Sequence, residues 1–170
     1  MSLKVLGLDL SITATGLTHT VEGAACSHVI KTREKDKDRR LIQLRNTVRE
    51  LAPGATFALI EAPTARSFAA VIAGMVQATV RIELLELGIP YGTILPAGLK
   101  KYATGKGSHP GQGKTPMRME AFKRLGLEFE DDNACDSWWA WAMACDFLGH
   151  PVLEMPKLNR ESLSKIRMEG

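Results

Sequence analysis

Residues 3–16, LKVLGLDLSITATG, decide how the rest of the chain is read. Leu3, Val5, Leu6, Leu8 and Leu10 leave this segment no polar face, which predicts a central strand buried on both sides. Asp9 interrupts it near the end, and a turn of small hydroxyl and glycine residues follows. An ionised carboxylate there is costly unless a cation, a helix N-terminus or several backbone donors compensate it. Capping of the turn through Ser11 and Thr13 is one such compensation, and a bound cation is another. The later carboxylates bear on the choice.

The 170 residues suit one domain with a single core, here 1–150, followed by a C-terminal tail at 151–170. Hydrophobic content of 45% and charged content of 24% are ordinary for a globular protein. No apolar run has the length of a bilayer span and the N-terminus lacks a signal-peptide pattern, so a cytoplasmic protein without a membrane partner is expected. Cys26, Cys135 and Cys145 are odd in number and show no CxxC spacing, which predicts reduced thiols rather than a disulfide framework or a zinc site. The net charge of +3 hides an asymmetry. Residues 31–49 carry eight Lys/Arg against three acids, 96–125 carry seven against Glu120 alone, and 126–136 carry five acids and no base. Two basic blocks around an acidic cluster fit a polyanion held over a cation site. Solvated helix faces are the simpler account of 31–49, where the signs mix.

Outward from the opening strand, 16–22 and 25–31 read as two further strands about Gly23, an antiparallel meander. Leu41, Leu44, Val48 and Leu51 mark an amphipathic helix over 38–51, stopped by Pro53-Gly54. TFALI at 56–60 is a short apolar strand running into Glu61. A helix is predicted over 67–87, with Ser67 as N-cap and Gly88 as its stop. A fifth strand at 91–95, a short basic helix at 97–103, a glycine-rich loop at 104–113 and helices at 115–125 and 133–148 complete the pattern. The tail from Pro151 shows no strong periodicity. This order predicts an α/β fold: a mixed five-stranded sheet with helices on both faces.

Glu61 repeats the grammar of Asp9, an acid at the C-terminal end of a buried strand, where open α/β sheets hold ligands. A third acid comes from DDNACDSWWAWA: Asp132 and Asp136 share a helix face, as do Asn133 and Asp136. With Asn133 as N-cap, Asp136 would complete a capping box, which leaves Asp9 and Glu61 unexplained. Two strand-end acids and a helix acid can converge on hard divalent cations, and two such ions support phosphodiester hydrolysis. His19, His28, His109 and His150 form no HExxH or paired-ligand pattern in sequence. GQGKT at 111–115 lacks the first glycine of a phosphate-binding P-loop, since position 108 is Ser, so no nucleotide cofactor is expected. GLDLSITATG is also similar to the first phosphate loop of actin-like ATPases, which need two such domains.

GLDLSITATG, ALIEAP, PAGLKKYATGKG with Lys114 beyond, and DDNACDSWWAWA, in that order over roughly residues 3–145, resemble the RuvC-type Holliday junction resolvases of the ribonuclease H-like superfamily. Small phage and actinobacterial versions are the nearest in character. The resemblance implies an endonuclease dependent on Mg²⁺ or Mn²⁺, with two ions, working as a homodimer on branched DNA, the four-way junction. It puts Asp9, Glu61 and Asp136 at the family's metal-binding acids. The fourth acid position is occupied by Asn133, with Asp132 one step away. Lys101, Lys106 and Lys114 fall in the DNA-contacting segment, with Lys114 also a catalytic candidate, and Arg66, Phe68 and Arg118 extend the DNA-binding set. Three departures stand out. SHPGQ lengthens the loop before Lys114, Thr64 stands where bacterial resolvases often place an aromatic, and Trp138-Trp139 replaces a large residue followed by alanine. Trp138, Trp141, Cys145 and Leu148 read as a core stripe, whereas Trp139 falls on the Asp136 face and is expected to line the site.

Two other readings use the same residues. A nuclease with this active site would act on flaps, forks or RNA–DNA hybrid if its loops recognise a different shape. A non-catalytic junction-binding protein would keep the fold without cleavage, and Asn133 is the feature that favours it.

Overall fold

Glu22 and Gly23, with φ of 50° and 86°, close a two-residue turn between β2 (Ala14–Val21) and β3 (Ala24–Lys31). Positive φ at both central residues gives the primed turn whose twist matches the strands it joins. The computed structural model describes residues 3–63, 68–113 and 115–169, apart from the side chains of Phe68 and Ala69. Within it β2 runs antiparallel to β1 (Val5–Asp9), pairing Thr18 with Gly7 and Gly16 with Asp9. On the other side of β1 lies β4 (Phe57–Glu61), parallel, with Leu8 opposite Ile60; β5 (Tyr91–Ile94) continues the parallel half. The meander and the central placement of β1 follow the sequence pattern.

The sheet has six strands rather than five, in the order β3-β2-β1-β4-β5-β6. The sixth, β6 (Arg167–Met168), comes from the tail and pairs antiparallel with β5. Two exposed residues carry no periodicity, so neither propensity nor pattern signals this strand.

Alternation along the strands sends side chains to two separate cores. Leu6, Leu8, Ala58 and Ile60 face α1 (Arg39–Leu51) and α2 (Phe68–Glu86), packing with Leu44, Val48, Val76, Val80 and Leu84. Val5, Phe57 and Leu59 face the opposite way, toward α5 (Asp132–Phe147), whose residues 135–146 are all buried. Two-sided burial accounts for the lack of a polar face in LKVLGLDL. Trp138 and Trp141 lie in the α5 core as expected, and Trp141 Nε1 donates to Thr20 Oγ1 at 3.0 Å. Trp139 departs from expectation. It is fully buried, donates from Nε1 to Met117 O at 3.1 Å, and meets Tyr102 edge-on at 6.2 Å, so it is a core residue and does not line a site.

The α5 helix lies against the sheet because two strand positions lack a side chain. A Cβ at Gly7 would overlap the backbone of Ser137 and Trp141, and one at Gly16 would overlap the Asn133 carbonyl. Thr18 Oγ1 meets Ser137 Oγ at 2.9 Å beside this contact. Among the described residues no helix is long and apolar enough to cross a membrane.

The segment after Pro151 is held by polar contacts. α6 (Lys157–Arg160) follows α3 (Pro96–Thr104) and α4 (Thr115–Leu125) in the chain and docks on α3. Asn159 Nδ2 donates to Tyr102 O at 2.7 Å, and Lys101 Nζ lies 2.8 Å from Glu161. Arg160 forks onto the fully buried Asp146 carboxylate at 2.9 and 3.1 Å, with the Tyr102 hydroxyl donating to the same carboxylate at 3.2 Å. Burial, then the Asp146 charge, pushes the Tyr102 hydroxyl well above its ordinary value, so it remains a donor. Removing one partner of a buried pair leaves an uncompensated charge, whereas exposed pairs contribute little. Arg160→Leu is therefore expected to lower the thermal midpoint clearly more than Lys101→Ala, as differential scanning calorimetry would measure.

Candidate active site

Asp9 and Glu61 are the last residues of two neighbouring parallel strands. The register Leu8↔Ile60 makes them the next facing positions, on strands about 4.8 Å apart. Alternation from Gly7 and Leu59 sends both toward the α5 side of the sheet. The Glu61 carbonyl accepts from Gln77 Nε2 of α2 at 3.0 Å, and Ala62 N donates to Ile94 O at 2.8 Å, which fixes the end of β4. The turn after β1 is closed by Thr15, whose Oγ1 lies 2.6 Å from Ser11 O and accepts from Ser11 N at 3.1 Å.

The third acid arrives with α5. Gly16, paired with Asp9, is the residue that Asn133 touches, so the first turns of α5 lie over the end of β1. Asp136 is one turn on, adjacent to Ser137 and almost fully buried. The helix start differs from the sequence expectation. The N-cap is Asp131, not Asn133: Asp131 Oδ1 accepts from Asn133 N at 2.8 Å and from Asn133 Nδ2 at 2.9 Å. Burial pulls the Asp131 carboxyl upward, but the two Asn133 donors and Lys31 more than offset this and hold it below its ordinary value. Asp136 then lies five residues past the cap, so a capping box is not its role. The bond from Nδ2 also fixes the Asn133 amide, making its oxygen the end suited to a cation. Asp132 lies 3.5 Å from Arg118 Nη1.

The basic candidates divide. α3 begins two residues after β5, and Gly105, at φ 83°, ends it in the left-handed conformation that glycine favours. The loop then turns back until a Cβ on Gly107 would sit 3.2 Å from the Ala97 carbonyl in the first turn of α3, which leaves Lys106 exposed. Thr104 Oγ1, 2.8 Å from His109 Nε2, holds this loop. Lys101 is engaged by Glu161, and Arg118 by Asp132 and the Phe129 carbonyl. Arg66, Lys114 and the Phe68 side chain lie outside the described residues, as do Thr64 and Ser67. A cavity of about 850 Å³ opens beside Ala62, lined by Lys101 and Gly107 and also by Arg81, Lys165 and Arg167. Sequence reasoning missed the last two because the tail had no assigned place in the fold.

Asp9, Glu61, Asp136 and Asn133 offer only oxygen donors, the chemistry of Mg²⁺ and Mn²⁺ sites. A second set of metal-ligand side chains lies elsewhere: His19, Cys26 and His28 have their ligand atoms all within 4.8 Å of one another. The set spans two strands, so it forms no linear ligand pattern in the sequence. Burial, then the neighbouring His28, holds His19 below its ordinary imidazole value.

No family model matches the sequence, and no curated protein matches it. Among solved structures the chain is similar to T. thermophilus RuvC in complex with a Holliday junction substrate, at a TM-score of 0.70 and 16% identity, covering 98% of this chain and 99% of that one. It is similar also to Thermus thermophilus RuvC on its own, at a TM-score of 0.70 and 20% identity, covering 91% and 100%. The chain shares its fold with these RuvC structures, a mixed sheet flanked by helices.

Proposed function

We propose that the chain is a divalent-metal-dependent endonuclease that resolves four-way DNA junctions by paired, symmetric nicks. The observation that carries this reading is that Asp9 and Glu61 end neighbouring parallel strands while α5, the helix that carries Asp136, is seated on β1 by side-chain-free positions at Gly7 and Gly16. The RuvC-type fold and the basic loop around Lys106 support branched DNA as substrate. Asp9, Glu61 and Asp136 would hold the ions, with Asn133 as a neutral oxygen donor. Mg²⁺ or Mn²⁺, when bound, supplies activation of the attacking water and stabilisation of the leaving oxygen. The protein's own part is to keep the carboxylates ionised and aligned, to contact phosphate through Lys106, and to guide the duplex arms with its basic surface. Two symmetric nicks need two active sites, and α2 offers a contact for a second copy: Val71, Met75, Ile82 and Leu85 form an exposed apolar stripe at helical spacing.

The test is end-labelled four-way junction, flap, duplex and RNA–DNA hybrid, each with Mg²⁺, with Mn²⁺ and with chelator. Paired nicks at symmetric positions in the junction alone are expected. Cleavage of flap or hybrid instead would move the substrate and keep the chemistry. Asn133 favours a second reading, a junction-binding protein without activity, which tight binding with no cleavage in either metal would establish.

A further inference from the structure

Outside the acidic site, the hairpin that opens the sheet brings three metal-ligand side chains together. The Glu22-Gly23 turn sets the register in which His19 pairs with Cys26, and His28, two residues beyond Cys26, falls on the same face of β3. His19 Nε2 lies 3.1 Å from His28 Nε2, and Cys26 Sγ lies 3.4 Å from His28 Nε2. Zinc bonds of about 2.0–2.1 Å to nitrogen and about 2.3 Å to sulfur give tetrahedral edges of about 3.3 Å for N···N and about 3.6 Å for N···S. The observed separations fall a few tenths of an ångström short of those edges. The rings stand 5.1 Å apart and tilted by 44°, so the two Nε2 atoms meet tip to tip rather than by stacking.

We propose that His19, Cys26 and His28 form a zinc site, a His₂Cys set with a fourth position for water, that clamps β3 to β2. Imidazole and thiolate select a borderline-soft ion such as Zn²⁺ over the Mg²⁺ suited to the acids. The surroundings meet the further requirements of such a site. The Leu51 backbone stands beside the His19 ring, where an outer acceptor orients a ligating histidine. His19 also borders a cleft of about 520 Å³ that gives a path in, with Glu22 and Glu50 at its wall and Lys4 as the opposing positive charge. A site here has a structural use. β3 is an edge strand, and the ion would tie it to β2, which carries Gly16 beneath α5.

Co²⁺ serves as the probe, added to the full chain under a phosphine reductant. One equivalent is expected to give tetrahedral d–d bands with a thiolate-to-cobalt charge-transfer band, displaced by Zn²⁺ and untouched by millimolar Mg²⁺. Cys26→Ser should abolish the charge-transfer band and weaken Zn²⁺ binding at least about 10-fold, since loss of even an outer partner of a ligand costs that much. Asp9→Asn should leave the band unchanged, which separates this site from the acidic one. Absence of the band in the wild-type chain would overturn the proposal and leave His19–His28 as a hydrogen-bonded pair. Persistence of the band in Cys26→Ser would overturn it too, tracing the signal to Cys135 or Cys145. Zinc-edge X-ray absorption on the wild-type chain keeps the test open if the variant does not fold. One sulfur with nitrogen neighbours is expected, and a shell of oxygen and nitrogen alone counts against the site.

Discussion

Asp9→Asn and Asp136→Asn are each expected to lower junction cleavage by about 10³-fold, because a metal site supplies several kcal/mol of transition-state stabilisation and each factor of ten is about 1.4 kcal/mol. Both substitutions keep shape while removing the charge and exchanging one acceptor oxygen for an NH₂ donor, so circular dichroism should be unchanged and junction binding without metal nearly so. The pairing is informative because the two acids come from different layers. Asp9 ends a strand of the sheet, and Asp136 lies on the helix above it. Equal losses in both mean that the layers build one site. If Asp9→Asn is inactive while Asp136→Asn cleaves at the wild-type rate, the helix is outside the active site and the proposed ligand set is wrong. Asn133→Asp adds a third arm. A fourth carboxylate raises the negative charge offered to the ions, so the Mg²⁺ concentration for half-maximal cleavage should fall. The backbone bond from residue 133 to the Asp131 cap survives the change, although the side-chain bond is lost.

The acids were legible because burial makes them anomalous. An Asp or a Glu at the end of an otherwise apolar strand demands a reason, and two such strands in one chain predict a shared edge. The parallel pairing of β1 with β4 places Asp9 and Glu61 there. The start of α5 was harder to read. DDNACD offers Asp131, Asp132 and Asn133 as competing caps, and only the hydrogen bond to Asn133 N selects Asp131. The spacing to Asp136 predicts Trp139 beside the site, but helix spacing cannot say that α4 stands on that side and accepts its indole N–H. The histidine and cysteine cluster was hidden for another reason. Its ligands lie on two strands, so the signal is a hairpin register and not a linear spacing; the Glu22-Gly23 turn with positions 19 and 26 equidistant from it was the clue. β6 and the Arg160–Asp146 pair left no local trace, since both depend on where the tail ends up after the rest has folded.

Gly7→Ala and Gly74→Ala, the same chemical change, are expected to move stability in opposite directions. Gly74 lies inside α2, and a Cβ there meets nothing within 4 Å. Alanine should stabilise the helix by about 0.5–1 kcal/mol through the lost flexibility of the unfolded chain. At Gly7 the added carbon meets α5 backbone at both Ser137 and Trp141. Backbone on both sides of the new atom cannot yield by a change of rotamer, so the helix must lift from the sheet. Overpacking of this kind belongs at the upper end of its range, about 3 kcal/mol, or roughly 6–12 °C in the thermal midpoint for a domain of this size. The displacement has a consequence for the site, because α5 carries Asp136 and its anchor points lie on either side of that residue. Gly7→Ala should therefore lose cleavage at temperatures where calorimetry still finds it folded. If Gly7→Ala is as stable and as active as the wild-type chain, α5 does not lie against β1 as described, and the three acids are not held by that contact.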